Sequence, residues 1–393
     1  MSAKPLLENI KYCSRCCMPD TQEGSAYDEL GQCLACQSSE QKMHIDWTIR
    51  EKDLRKLLEA AKAKSGSNYD CIVPISGGKD STFQMHVITK VYGLKALAVT
   101  FSLNWYTETG WYNLQNLLEK FNVDHIMYTP NRDLVNRLTK KSLAAIGDVS
   151  WHDHAGLGSF PLHIAVKFKI PLLIWGESIA EASGRASYHD PVHKFDRDYF
   201  TKVSAKLRAD EMVDDDISAK DLHIFNLPSV EEIETVGVHG IHLGDYLFWD
   251  EERQTEFIKA EYGWQETEVE SAYKGYKSVD DVMSGMHDFT CYLKRGYGRV
   301  TMQACVDIRN GLLTREEGFA LIEKYERERP DALDYYLQIT GMSEAEFYAT
   351  MAKHRLPSIK DHELLVLPKV RQTKERLLPF PLQLIEKHQE QNN

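Results

Sequence analysis

The sequence predicts an α/β fold: a parallel sheet with helices between its strands, a small cysteine-rich module before it and a mostly helical region after it. Three observations carry this reading. Short apolar runs alternate with helical patterns over residues 69–176, and strands separated by helices of that length pair in parallel. Five of the eight cysteines fall within residues 13–36. From about residue 230 the apolar residues recur mostly at helical spacing. At about 100–200 residues per domain, 393 residues suggest two or three folded units. The expected division is a cysteine-rich module over 1–45, a helical linker over 46–68, a sheet domain over 69–229 with a polar insertion at about 177–222, and a helical C-terminal region over 230–393.

The elements follow in order. Cys13-x-x-Cys16 and Cys33-x-x-Cys36 stand 16 residues apart. Four thiolates at this spacing surround one zinc ion tetrahedrally, as in a zinc ribbon. The stretch between them, with Pro19, Asp20, Gly24 and Gly31, has too few apolar residues to hold itself together. Metal binding supplies that folding free energy. Cys17 competes with Cys16 as a ligand, and a closed four-thiolate site has a structural role. Ile49, Leu54, Leu57, Leu58 and Ala61 then mark a helix over 47–64, stopped by Ser65-Gly66-Ser67-Asn68. Strands are expected at 71–75, 94–101, 124–128 and 171–175. Helices are expected at 80–92, 109–121, 131–146 and 159–169. Residues 151–159 read as a flexible loop, and Asp214-Asp215-Asp216 as a solvated turn. The later aromatics, Tyr246, Phe248, Trp249, Phe257, Tyr262 and Trp264, read as core. The polar tail over 386–393 is expected to fray.

Ser76-Gly77-Gly78-Lys79-Asp80-Ser81-Thr82 carries the clearest chemistry. It follows a buried strand and opens a helix. Glycines let backbone N–H groups approach phosphate oxygens, and a helix N-terminus adds donors and partial positive charge. Ser76, Ser81 and Thr82 add hydroxyls, Lys79 adds a full charge, and Asp80 offers an oxygen ligand to magnesium. The spacing differs from the Walker loop. At the carboxyl edge of the sheet, the backbone at Thr100 and Phe101 is placed to read an adenine edge, and Gly176 with Glu177 ends another strand there. Glu181 is a further candidate on that segment. His154 is a candidate base or substrate contact. Lys294, Arg295 and Arg299 form a short basic segment suited to a carboxylate or diphosphate, with Arg309 a second candidate.

The loop resembles that of the N-type ATP pyrophosphatases, the PP-loop or adenine nucleotide alpha hydrolase-like superfamily. The resemblance implies cleavage of ATP between its α and β phosphates, with Lys79, Asp80 and Ser76 as catalytic residues. Tyr12-Cys13-Ser14-Arg15-Cys16 with Met18-Pro19, Ile170 to Glu177, His287-Asp288-Phe289, Tyr297-Gly298-Arg299-Val300-Thr301, Ile308-Arg309-Asn310-Gly311 and Thr314-Arg315-Glu316-Glu317 narrow it further. In these the sequence resembles the N-acetyl sugar amidotransferases of bacterial surface-polysaccharide biosynthesis, which serve lipopolysaccharide O-antigen and pseudaminic (nonulosonic) acid pathways. That resemblance implies conversion of a sugar acetamido group to an acetamidino group through an adenylylated imidate. It implies ATP, magnesium and structural zinc. It also implies ammonia from a partner glutaminase with a cyclase-like subunit. Cys71, Cys291 and Cys305 lack the glycine-flanked elbow of a glutaminase nucleophile.

Composition narrows the classes. The chain is 42% hydrophobic and 27% charged, as in globular proteins. Its formal net charge of -12 weighs against a broad nucleic-acid surface. No apolar run reaches the roughly 18–20 residues that span a bilayer, and the N-terminus lacks a signal-peptide stretch, so a cytoplasmic protein is expected. Two rival readings remain at this level. One is a tRNA-thiolating enzyme, which also joins zinc ribbons to pyrophosphate loops. The other is a nucleotide-binding subunit without turnover.

Overall fold

The computed structural model describes residues 7–21, 26–182, 187–188, 205–368 and 378–391. Five parallel strands form its sheet: β1 (Cys71–Pro74), β2 (Ala96–Phe101), β3 (Asp124–Tyr128), β4 (Leu172–Trp175) and β5 (His239–His242), in the order β3-β2-β1-β4-β5. β1 and β2 are buried at every position, as expected for central strands covered on both faces. Side chains alternate between the faces. Ile72, Leu97 and Val99 enter one cluster with Leu134, Leu138, Trp151 and Phe160. Cys71, Val73, Ala96 and Ala98 enter another with Leu54, Leu58, Met85, Leu114 and Leu117.

Helices supply those second sets. α1 (Leu34–Lys42) follows the second cysteine pair. α2 (Trp47–Ser65) buries Leu54 and Leu58 on the sheet, while Ile49 faces solvent. Asp46 caps it, accepting from the N–H groups of Thr48 and Ile49 at 3.0 and 3.2 Å. α3 (Lys79–His86) runs on into a π-helical turn over Val87–Val91. α4 (Glu108–Phe121) and α5 (Arg132–Ile146) join β2 to β3 and cover the sheet after β3. α6 (Trp151–Phe168) begins where a loop was expected. Gly156 and Gly158 lower helix propensity, but Trp151, His152, Ala155, Ser159 and Phe160 are all buried, and that packing overrides it.

Two further expectations change. β5 lies beyond residue 229 and pairs with β4, from Leu172↔His239 to Trp175↔His242, so the sheet reaches into the stretch read as helical. Only four residues long and rich in histidine, β5 offers little apolar signal. The tail is helical through residue 391 in α15 (Phe380–Gln391). Of the polar insertion, the described part after residue 205 packs Ala209, Met212, Ile217, Leu222 and Phe225 into the sheet core. Asp214 holds an exposed turn, accepting from the N–H groups of Asp216 and Ile217, both at 2.9 Å. Residues 189–204 lie outside the described residues.

After the short α7 (Ile179–Ala182) and α8 (Val230–Val236), the C-terminal region comprises α9 (Glu251–Tyr262), α10 (Ser284–Arg295), α11 (Arg299–Arg309), α12 (Arg315–Tyr325), α13 (Ala332–Thr340) and α14 (Glu344–His354). α10, α13 and α14 share a core with Trp105, Val135 and Leu143 from the sheet domain. α11 and α12 share one with the N-terminal cysteines. Trp249 and Trp264 are buried as expected, whereas Phe248 is 46% exposed.

Candidate functional site

The glycine loop joins the end of β1 to α3. Gly77 has φ 91°, and a Cβ there would meet the Leu114 backbone nitrogen at 2.7 Å, so this position needs glycine both for conformation and for packing on α4. Gly78 is the N-cap of α3, and no side chain caps the helix. The first N–H groups of α3 are therefore available to an anion. The hydroxyls of Ser81 and Thr82 both donate to the Gly78 carbonyl at 3.0 Å. Ser76 Oγ accepts from the Gly78 N–H at 3.2 Å and donates to the Asp280 carboxylate.

Much of the site comes from residues that carry no motif. Lys79, 7% exposed, lies 2.7 Å from Glu251 at the start of α9 and also contacts Asp80. Lys277 contacts the same Glu251 oxygen. Burial would lower the Lys79 pKa, but the carboxylates of Asp80, Glu251 and Glu177 outweigh it and raise it. Burial pulls Lys277 down, and neighbouring Lys79 adds to that. Burial would raise Glu251, and the two ammonium groups hold it far below the usual carboxylate range. Glu177 is solvent-accessible but lines both of the cavities that meet at the loop, and crowding by protein there together with the nearby Asp80 pushes its pKa up to about 7. Trp264 Nε1 donates to the Gly77 carbonyl at 2.9 Å. Gly110 lets the 264–282 segment approach, because a Cβ there would lie 2.4 Å from the Asp280 Cα.

Two cavities meet at the loop. One, of about 370 Å³, is lined by Val99, Phe101, Leu157, Pro161, Gly176 and Ile179 among others. The other, of about 350 Å³, is walled by Met18, Ala35 and Ser39 of the cysteine module, by Lys79, Glu251, Tyr276 and Lys277, and by one face of α11. Both share Ser76, Asp80, Ser81, Glu177 and Asp280.

The structure sorts the expected residues. Phe101, Gly176 and Glu177 line the first cavity; next to Phe101, the Thr100 hydroxyl donates to the Ile75 carbonyl at 2.7 Å. Arg299 and Arg309 line the second cavity, and Arg299 Nε donates to Asp288 at 2.6 Å. Lys294 and Arg295 line neither of the two. They bond to the Ile146 carbonyl at 2.9 Å and to Cys291 Sγ at 3.2 Å. The side chain of Glu181 lies outside the described residues. His154 lines a third cavity, of about 320 Å³. Its ring meets that of His287 edge-on at 5.3 Å; burial and His287 lower its pKa to about 4.

His287 anchors a cluster that the sequence did not reveal. Its Nδ1 lies 3.0 Å from the buried Asp148, and its Nε2 lies 4.0 Å from Cys291 Sγ. Burial opposes charge on His287, yet Asp148 raises its pKa well above the ordinary value. Burial likewise opposes the Cys291 thiolate, but His287 and Arg295 lower its pKa. His287 and Cys291 stand one turn apart on α10, a spacing legible in sequence; Asp148, 139 residues away, is not.

The four cysteine sulfurs of Cys13, Cys16, Cys33 and Cys36 all lie within 4.8 Å of one another and are buried. This arrangement suits a tetrahedral thiolate metal site and is compatible with a zinc ribbon. Cys17 points elsewhere, toward the Arg315 carbonyl at 3.5 Å. Arg315 itself grips the module, donating to the carbonyls of Cys16 and Cys13 at 3.0 Å each. Burial opposes the Arg309 charge, and the sulfurs of Cys305 and then of Cys16, Cys36 and Cys33 favour it and raise its pKa. No other such ligand group occurs among the described residues. A magnesium ion at Asp80 and Glu177 would therefore need phosphate oxygens to complete its shell.

Residues 253–371 match the family model described as LPS biosynthesis protein WbpG-like, C-terminal domain. The matched stretch supplies Tyr276, Lys277, Asp280 and the α11 residues that line the second cavity, and Trp264, which donates to the Gly77 carbonyl. The match thus covers residues that press on the glycine loop as well as the helical core. No curated protein matches the chain. Among the described residues no helix is long and apolar enough to cross a membrane.

Proposed function

We propose that the chain binds ATP on the glycine loop, transfers AMP to the acetamido oxygen of a sugar, and converts the resulting imidate with ammonia to an acetamidino group. The setting is LPS biosynthesis, in keeping with the WbpG-like C-terminal domain. One observation carries the reading: two cavities meet at one glycine loop and share Ser76, Asp80, Ser81, Glu177 and Asp280. A nucleotide and an acceptor occupying them would meet at the α-phosphate.

The chemistry gives each group a task. An amide carbon resists attack because resonance weakens it and its oxygen leaves poorly. AMP on that oxygen makes it a good leaving group. The N–H groups at the start of α3 hold phosphate oxygens, and Lys79 supplies charge as pyrophosphate departs. Asp80 and Glu177 would hold magnesium, which would neutralise charge on the departing phosphates. Ammonia then adds to the imidate carbon and AMP leaves. In this reading the ammonia comes from a separate glutaminase with a cyclase-like subunit, since the cysteines lack the flanks of a glutaminase elbow.

The test incubates the purified chain with ATP, magnesium and ammonium salt and a panel of acetamido sugars, followed by mass spectrometry. The expected product is lighter by the difference between O and NH, with one AMP formed per product. ATP consumption that requires RNA rather than a sugar, or no product across the panel, defeats the proposal.

A further inference from the structure

The second cavity collects polar groups that the protein itself does not satisfy. Gln303, in the second turn of α11, is only 2% exposed, and neither its amide oxygen nor its amide nitrogen has a hydrogen-bond partner. Trp249 Nε1 and Arg309 Nη1 are buried without partners too. All three residues line the same cavity of about 350 Å³. An unpaired buried amide is costly and uncommon in native proteins. Three residues that carry such groups line one space, and a ligand there is what could complete them.

Their chemistry describes that ligand. The indole, the guanidinium arm and the Gln303 nitrogen offer N–H donors, and the Gln303 oxygen offers an acceptor. The lining also has an apolar and aromatic part, Met18, Trp249, Tyr276, Met302 and Val306, beside the charged groups near the loop. A molecule with several acceptor oxygens, one N–H and a flat apolar face fits, and a sugar bearing an acetamido group has all of these.

Resting on the function proposed above, we infer that this cavity is the acceptor-sugar site and that Gln303 is the residue that reads the acetamido group. The acetamido N–H donates to Gln303 Oε1. Gln303 Nε2, Trp249 Nε1 and Arg309 Nη1 donate to sugar oxygens. A trans secondary amide points its N–H and its oxygen in opposite directions. Holding the N–H on α11 therefore leaves the amide oxygen free to face the loop, where Ser76 and Asp80 lie on the shared edge.

The test uses the full chain and compares Gln303→Met and Gln303→Leu with wild type, in three measurements. The first is thermal stability without ligand: removing an amide that has no partner should leave Tm no lower than wild type. The second is binding, by titration calorimetry, of an acetamido sugar and of its O-acetyl analogue, which lacks the N–H. Wild type should prefer the amide by about tenfold, and the variants should lose that preference. The third is KM, which should rise for the acceptor and stay within about twofold for ATP. A marked fall in Tm in both variants would make Gln303 a structural residue and overturn the inference. So would variants that keep the amide preference. If wild type neither binds nor converts any acetamido sugar, the proposed function falls with it; if wild type does both and the variants behave alike, the Gln303 inference falls alone.

Discussion

Glu251→Gln is the most informative single change at the loop. Lys79 and Lys277 both contact the same Glu251 oxygen, and the three side chains are 7, 17 and 13% exposed. The two ammonium nitrogens therefore lie within about 5 Å of each other, held by one carboxylate. At that separation and an effective dielectric of about 20, two unit charges repel by about 3 kcal/mol. Breaking a buried ion pair by removing one partner costs about 3–5 kcal/mol, so the two routes agree. Glutamine keeps the shape and removes only the charge. The variant should lose about 3 kcal/mol of unfolding free energy at pH 7, measured by chemical denaturation, and its KM for ATP should rise as Lys79 shifts. The pH dependence has a definite sign. The Lys277 pKa is already lowered in the folded protein, and without Glu251 it falls further. The unfolded chain keeps that proton up to about pH 10.4, so it binds more protons than the folded chain over the range between the lowered folded pKa and that point. Stability therefore rises with pH across this window, and the deficit of the variant should shrink between pH 7 and 10. Lys79 in wild type, with a raised pKa, contributes no loss until above that window. A deficit under about 1 kcal/mol at pH 7, or one that does not change with pH, would refute the assignment of Glu251 as the counter-ion that holds both lysines.

Three other outcomes are expected. Cys16→Ser should abolish zinc retention and destabilise the N-terminal module, whereas Cys17→Ser should keep one zinc per chain, because only Cys16 lies in the four-sulfur cluster; metal analysis after gel filtration decides. Cys291 should be alkylated by iodoacetamide at lower pH than the ordinary thiol range near 8.5, and His287→Ala should move that midpoint upward, as followed by peptide mass spectrometry; equal midpoints would contradict the contact. Glu177 ionises near pH 7, so kcat/KM for ATP should climb through neutrality and the climb should flatten in Glu177→Gln. The folded chain holds that proton while the unfolded chain has lost it between about pH 4.3 and 7, so ligand-free stability should fall with rising pH across the same window, the opposite sign to Lys277.

What could be read from the sequence divides along physical lines. The strands at residues 71, 96 and 172 announce themselves as buried apolar runs, β3 at 124 as a shorter, half-buried one, and the loop after β1 as glycines between a strand and a helix. The cysteine spacing already identified Cys13, Cys16, Cys33 and Cys36, and only side-chain direction was needed to set Cys17 aside. α6 was misread at its start because glycine content signals local preference, while Trp151 and Phe160 are held by distant parts of the core. Glu251 reads as one of several acids at a helix start, a common and unremarkable pattern. Its role depends on Lys79 and Lys277, 172 and 26 residues away in the chain, and no local pattern encodes that meeting. Gln303 is more hidden still: its distinguishing property is the lack of a partner, which exists only in three dimensions.

The cysteine module gains a meaning from where it sits. Arg315 ties the Cys13 and Cys16 carbonyls to α12, while Met18, Ala35 and Ser39 line the cavity together with residues of α11. α11 in turn packs Val300, Ala304 and Cys305 against the cysteines. A four-thiolate metal has no open position and takes no part in bond making. The free energy of its binding is folding free energy, and here that folding fixes the distance between two cavity walls. Arg309 links the two functions, with its charge beside the cysteine sulfurs and its unpartnered nitrogen in a residue of the cavity wall. Loss of metal should therefore weaken acceptor binding before it weakens nucleotide binding, because the apolar cavity on the other side of the loop is built from β2, β4 and α6 and draws no residue from the module.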